Sequence, residues 1–223
     1  MLVVRQAVVG PFAENTWLVG DPGTGDAIAI DPGGPATGAL GLAQPEFRIV
    51  GILATHGHVD HIVGAEELRR RTGAPFRIHA GDEPFVRALP GQAAHLGFGE
   101  ARSPEVSSFL ADGDTLRVGG HEARVIHTPG HSPGGVSLHF PADGLLFTGD
   151  TLFLGSVGRT DLPGGNASEL VRSIRERLFP LGDEVRFFPG HGPGGTLGEE
   201  RRRNPYVGDD APRGRPTPST RRP

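Results

Sequence analysis

THGHVDH, residues Thr55 to His61, is the stretch on which the reading of this chain turns. It places three of the chain's ten histidines and one aspartate within six residues, between the strand-like run RIVGILAT and a segment of helical period. His56 and His58 are two apart at the end of the strand-like run, where alternate side chains point to one side. Two imidazoles on one side can share one metal ion. Asp60 and His61 continue the loop and can turn toward a second position. Neutral imidazole and carboxylate are ligands that suit zinc, iron or manganese.

Seven residues cannot complete such a site. Three further candidates recur in one context: His131 in HTPGHSPGG, Asp150 in LLFTGD and His191 in RFFPGHGPGG. Each follows an apolar strand and sits in a Gly- or Pro-rich loop, where functional side chains are held by a rigid scaffold. The separations are 70 residues from His61 to His131, 19 to Asp150 and 41 to His191. His79, His95, His121, His127 and His139 lack partners in this pattern and read as surface or core hydrogen-bonding residues.

Strand-like runs lie at Leu2–Val9, Thr16–Val19 and Ala27–Ile30, each bounded by Gly, Pro or Asp. In DPGG, Asp31 is expected to bond its own backbone in a turn. Further strands are read at Arg48–Thr55, FRIHA, EARVIHT, VSLHF and GLLFTGD, the last two as a pair across a turn, and at EVRFFPG. A helix is expected from about Val63 to Arg71, with RRRTG as its exposed, cationic end. The clearest helix is NASELVRSIRERLF, with Asn166 as N-cap, Glu169 three residues on, and Leu170, Ile174 and Leu178 on one face. Strands in both halves with helices between them predict an α/β sandwich. A doubly wound parallel sheet fits less well, because the first runs lie too close together for helical crossovers.

Composition narrows the chemistry. The chain has 223 residues and no cysteine, which excludes disulfides, thiolate nucleophiles and cysteine-ligated metals. All 22 basic residues are arginine, so a P-loop lysine and a lysine Schiff base are excluded as well, and GPGGTLG is no dinucleotide fingerprint. No window approaches the roughly 20 apolar residues of a membrane span, and the N-terminus lacks a signal layout, so a cytoplasmic protein is expected. Residues 1–208 are read as one catalytic domain and 209–223, rich in Pro and Arg, as a flexible tail. From Glu199 onward seven arginines oppose four acids, so this end carries +3 and the remainder −7 of a net −4. The acidic body offers no broad basic face for a nucleic acid, and the charged tail is read as solvated.

The order His-x-His-x-Asp-His, then His, Asp and His, resembles the metallo-β-lactamase fold superfamily from the start of the chain to about Val207. GRTDLPGG at Gly158–Gly165 and TLGEERRRNPYV at Thr196–Val207 resemble loops of its short hydroxyacylglutathione hydrolase (glyoxalase II)-like group. The resemblance implies a four-layer αββα sandwich with a metal site in loops at one edge. It implies that His56, His58 and His131 hold one divalent ion, and that Asp60, His61 and His191 hold a second. Asp150 would bridge the two ions, which are expected to be zinc, with iron or manganese as alternatives. Asp60 would also orient the attacking water. The implied substrate is a small thioester such as S-lactoylglutathione, hydrolysed by water. β-Lactamases of this fold generally use a cysteine ligand, absent here, so a penicillin is not the expected substrate. The chain ends before the helical domain with which long glyoxalase II enzymes grip glutathione, which leaves room for another thioester or ester. An iron-dependent persulfide dioxygenase of the same fold, using His56, His131 and Asp150, is the second expectation. A nucleic-acid-processing metallohydrolase is the third. Arg159 is read as either bracing its loop through Asp161 or anchoring substrate, and Arg203 and Tyr206 as either contacting substrate or packing the chain end.

Overall fold

Side-chain alternation along the strands sorts the apolar residues into three separate cores. In the computed structural model, which describes residues 1–211, six strands form a first sheet: β1 (Val3–Val9), β2 (Glu14–Asp21), β3 (Asp26–Ile30), β4 (Arg48–Leu53), β5 (Phe76–His79) and β6 (Val106–Leu110). They lie in sequence order, antiparallel through β3 and parallel from β3 to β6. Leu18, Ala27, Ala29 and Ile52 face outward from this sheet into a core with the helices α1 (Ala36–Ala43), α2 (Val59–Ile62), α3 (Ala65–Thr72) and α4 (Glu83–His95). Their neighbours Trp17, Val19, Ile28, Ile30 and Leu53 face the other way.

That inner face packs on a second sheet. Its strands are β7 (Thr115–Val118), β8 (His121–His127), β9 (Val136–Phe140) and β10 (Leu145–Gly149). After a small hairpin of β11 (Leu152–Phe153) and β12 (Ser156–Val157), β13 (Arg186–Pro189) and β14 (Gly195–Thr196) complete it, in the order β14-β13-β10-β9-β8-β7. Leu145 and Phe147 point into the central core, whereas Leu146 points into a third core beneath α5 (Ala167–Arg172) and α6 (Leu197–Arg203). The layers are therefore helix, sheet, sheet, helix, as the resemblance implied.

The β9–β10 pair and the N-cap of α5 are as expected: Leu145 pairs with Phe140, and the Asn166 side chain accepts a hydrogen bond from Glu169 N at 3.1 Å. Beyond Arg172 the helix winds on as a π-helix through Leu178, and Leu170, Ile174 and Leu178 are fully buried. Two points differ from the sequence reading. The helix expected from about Val63 to Arg71 is α3, and a separate short helix, α2, precedes it, parted from it by Gly64, whose amide donates to Pro32 O at 2.9 Å and whose Cβ would collide with Gly34 O. Asp60 and His61 thus lie on a helical turn, α2, not in an open loop. α1, α4 and α6 were not anticipated; Gly38 and Gly41 in α1 and Pro90 and Gly91 in α4 interrupt the helical pattern, and only packing against the first sheet selects those two helices. Asp209 and Ala211 continue with backbone hydrogen bonds to Arg201 and Gly208, and residues 212–223, most of the expected tail, lie outside the described residues.

Candidate metal centre

Four chain segments converge at one edge of the sandwich, beyond the ends of β4, β8, β10 and β13. β4 delivers Thr55–His58, and α2 follows at once with Asp60 and His61. His131 comes from the loop between β8 and β9, Asp150 immediately after β10, and His191 two residues after β13. The two sheets are stitched together here. Val136 N donates to Thr55 O at 2.8 Å across the sheets, while Gly190 N, donating to Gly149 O at 2.9 Å, extends the β10–β13 pairing within the second sheet. Asn15 N donates to Gly190 O at 2.7 Å and the Asn15 amide group to Gly192 O at 2.8 Å, so the start of β2 grips the loop that carries His191.

All seven histidine and aspartate side chains singled out in the sequence come together, in two groups. His58 Nδ1 lies 3.1 Å from His56 Nε2 and 2.9 Å from His131 Nε2, so three ring nitrogens point at one place. Asp60 Oδ2 lies 3.3 Å from His191 Nε2 and 3.9 Å from His61 Nε2, forming the second group. Asp150 sits between them. Its Oδ1 is 3.4 Å from His61 Nε2, and its Oδ2 is 3.6 Å from His131 Nε2 and 3.7 Å from His191 Nε2. Gly190 is required by this crowding, since a Cβ there would run into Asp150 Oδ1 and His61 Cε1.

In four of the five histidines the ring nitrogen that faces away from the centre has an oxygen partner. His56 Nδ1 meets Thr55 Oγ1 at 3.2 Å, His61 Nδ1 meets Asp31 Oδ2 at 3.0 Å, His131 Nδ1 meets Arg159 O at 2.8 Å and His191 Nδ1 meets Phe12 O at 3.1 Å. Partners of this kind fix an imidazole's tautomer and leave the opposite nitrogen's lone pair free for a cation. His61 Nε2 and Asp150 Oδ1 are buried with no hydrogen-bond partner among the described residues. Buried polar atoms are normally satisfied. Two orphaned donor atoms aimed into one space, within a set of imidazoles and carboxylates, fit a bound cation.

Electrostatics agree with this. Burial, with His61, His58 and His131 beside it, holds His56 well below its ordinary value, and burial with His131 brings His58 down to about 3, so both rings stand neutral and able to ligate. Burial opposes ionisation of Asp150, but His61, His191 and His131 outweigh it and hold the carboxyl well below the usual range. Burial likewise opposes charge on His61, and Asp150, Asp60 and Asp31 together overcome it and raise that imidazole. Four carboxylates surround His61, counting Glu14, whose own burial pushes it well above the usual carboxylate range.

Two residues that the sequence reading did not assign support the site. Asp31 does not use its side chain on its own turn. Its Oδ1 accepts from Thr55 N at 2.6 Å, and its Oδ2 accepts from Thr55 Oγ1 at 2.7 Å as well as meeting His61. Asp82, fully buried, accepts from Gly57 N at 2.8 Å, Ser132 Oγ at 2.7 Å and Gly134 N at 2.6 Å, tying the His56–His58 segment to the His131 loop. DPGG carried a signal for Asp31 in its position at a strand end; Asp82 in HAGDEPF carried none.

A cavity of about 1200 Å³ opens above the two groups, and Arg159 and His95 line it. Arg159 is held by Asp161 through two hydrogen bonds of 2.6 and 2.9 Å, so it braces its loop and faces the cavity at once. His95 was expected to have no part in the site, and the last turn of α4 brings it to the wall. Arg203 and Tyr206 are not brought to the cavity. Leu197 anchors α6 in the third core and the Arg201–Asp183 ion pair at 2.7 Å holds it there, with Tyr206 packed against that core. No helix among the described residues is long and apolar enough to cross a membrane.

Comparison with known proteins places this geometry. Over 207 residues, 89% of this chain and 95% of the relative, the sequence is 35% identical to hydroxyacylglutathione hydrolase GloC of Haemophilus influenzae. The crystal structure of BLEG-1 B3 metallo-beta-lactamase superposes with a TM-score of 0.84 at 33% identity, covering 92% of this chain and 99% of that one. The structure of TTHA1623 in a di-iron-bound form gives 0.81 at 38% identity, covering 91% and 100%. The pattern of the metallo-beta-lactamase superfamily runs through residues 9–191, from the end of β1 to the last histidine of the centre, and the chain belongs to that superfamily.

Proposed function

We propose that this metallohydrolase-superfamily protein cleaves a small thioester or ester with water, in the manner of the hydroxyacylglutathione hydrolases, using two divalent cations. The observation that carries the reading is the placement of Asp150, one oxygen toward His61 and the other toward His131 and His191, between two groups of three ligands. His56, His58 and His131 would hold one ion, Asp60, His61 and His191 the other, and Asp150 both. Bound there, divalent cations would acidify a water and polarise a carbonyl. Zinc suits this donor set, and so do iron and manganese.

The remaining roles belong to the chain. Asp60, 3.3 Å from His191 Nε2 and facing the cavity, orients the attacking water through its carboxylate. Asp31, Thr55, Phe12 and Arg159 hold the imidazoles in register through the hydrogen bonds described above. The cavity walls exclude bulk water around the scissile carbonyl. A thioester suits this machinery because a thiol, with a pKa of about 8.5, leaves without a strong general acid. The likeness to GloC puts a hydroxyacylglutathione, and the likeness to BLEG-1 a β-lactam, into the assay panel.

Elemental analysis of the purified protein, followed by a panel of thioesters, esters and a β-lactam, tests the proposal. Two ions per chain with thioester hydrolysis, abolished in His191→Ala, is the expected result. One iron per chain, an unaffected His191→Ala variant and oxygen uptake with a persulfide would replace it by the dioxygenase.

A further inference from the structure

The chemistry of the cavity wall selects what lies next to the scissile carbonyl. Phe12, Val59, Phe85, Leu96, Leu162 and Pro163 line it, drawn from the β1–β2 turn, α2, α4 and the Gly158–Gly165 loop. This apolar lining runs up to the ligands themselves. The Phe85 ring meets His58 edge-on at 5.2 Å, and the Phe12 carbonyl is the partner of His191 Nδ1. Phe12 also meets Phe98 edge-on at 5.2 Å, closing the β1–β2 turn onto the segment after α4. Large apolar side chains are rarely exposed in one place without reason, yet Phe12 is 38% and Leu96 42% exposed at this mouth.

Charge is scarce on the same wall. Among the described residues that line the cavity, Arg159 is the sole arginine, there is no lysine, and Asp161 already takes the Nε–Nη2 edge of its guanidinium. Carboxylates are recognised by such edges, one edge to each carboxylate. A carrier with two carboxylates would find one guanidinium edge for one of them, and the other would lose hydration against phenylalanine and leucine without replacement. An uncharged apolar arm loses nothing of that kind and is removed from water.

Resting on the hydrolase reading, we propose that the substrate is a thioester or ester whose arm beside the reacting carbonyl is uncharged and apolar, an alkyl or aryl acyl group, lodged between Phe12, Phe85, Leu96 and Leu162. Doubly carboxylated carriers such as glutathione are the poorer substrates.

The test uses the full chain loaded with zinc. kcat/KM is compared for acetyl, butyryl, hexanoyl and phenylacetyl thioesters of N-acetylcysteamine, an uncharged thiol, and for S-lactoylglutathione. Binding of S-hexyl-N-acetylcysteamine and of S-methylglutathione, thioethers that cannot be hydrolysed, is measured in parallel by calorimetry. The expected result is a rise of about tenfold or more from acetyl to hexanoyl, with hexanoyl above S-lactoylglutathione, and tighter binding of the hexyl thioether. Leu96→Glu and Leu162→Glu should each lower the hexanoyl value about tenfold with metal per chain unchanged. A flat acyl series, or a preference for S-lactoylglutathione and S-methylglutathione, overturns the inference while leaving the hydrolase intact. Tight binding of the hexyl thioether with no thioester turned over would sink the hydrolase reading and keep the apolar arm.

Discussion

Asp31 adopts a left-handed backbone conformation, φ +52°, that costs a non-glycine residue on the order of 1 kcal/mol. The conformation lets one carboxylate hold Thr55 N, Thr55 Oγ1 and His61 Nδ1 at once. Replacing a hydrogen-bond partner of a metal-ligating histidine typically weakens metal affinity by about 10–100-fold. Asp31→Asn is expected to show a loss of that size when the metal is competed off with a chelator, with the far-UV spectrum retained. Unchanged affinity would remove Asp31 from the site's support. Gly190→Ala, by contrast, should lose bound metal outright, because the added Cβ meets Asp150 Oδ1 and His61 Cε1.

Between elements, the sharpest case is Asp82, where the short turn after β5 meets the segments that carry His56–His58 and His131. Gly57 N and Gly134 N are buried donors, and neither has another acceptor described for it. Each such donor left unpaired costs about 1–3 kcal/mol, so Asp82→Ala should lower the unfolding free energy measured in urea by at least that amount and loosen metal binding with it. Asn166→Ala provides a comparison away from the site. Loss of its cap to Glu169 N should cost about 1 kcal/mol in the same urea experiment, with metal content untouched.

For the whole molecule, the two sheets are also joined at the end opposite the β1–β2 turn. Asp21, where β2 ends, accepts from Gly23 N at 2.8 Å in its own turn and from Gly120 N at 2.9 Å in the β7–β8 turn. The Gly120 and Gly23 amides hold its carboxyl below the ordinary 3.8. The sign follows from that direction. A carboxyl ionising more readily in the folded chain stabilises it fully above pH 3.8, and this contribution is lost as the pH falls through the lower folded value. Asp21→Asn should therefore be less stable than the parent at pH 6, and the gap should narrow below pH 3.8. A gap independent of pH would show that the charge on Asp21 is not what joins the turns.

The seven ligand candidates were legible because each carries a local mark, an apolar strand running into a Gly- or Pro-rich turn, and strand alternation is a period that the chain displays without its partners. The helix 166–178 was legible for the same reason: cap, acidic first turn and one apolar face are all local. α1 and α4 were not, since glycine and proline hide their period and it is burial against the first sheet that overrides poor propensity. Asp82 and the cavity role of His95 were invisible, because nothing near them in the chain records which loop will lie opposite. Residue type and local period determined which side chains could ligate and which segments would be strands. Only the tertiary structure decided their grouping, the support from Asp31 and Asp82, and the exclusion of Arg203 and Tyr206 from the cavity. Those depend on contacts 25 to 179 residues apart, such as Gly57 to Asp82 and Phe12 to His191, which form only when the two sheets pack.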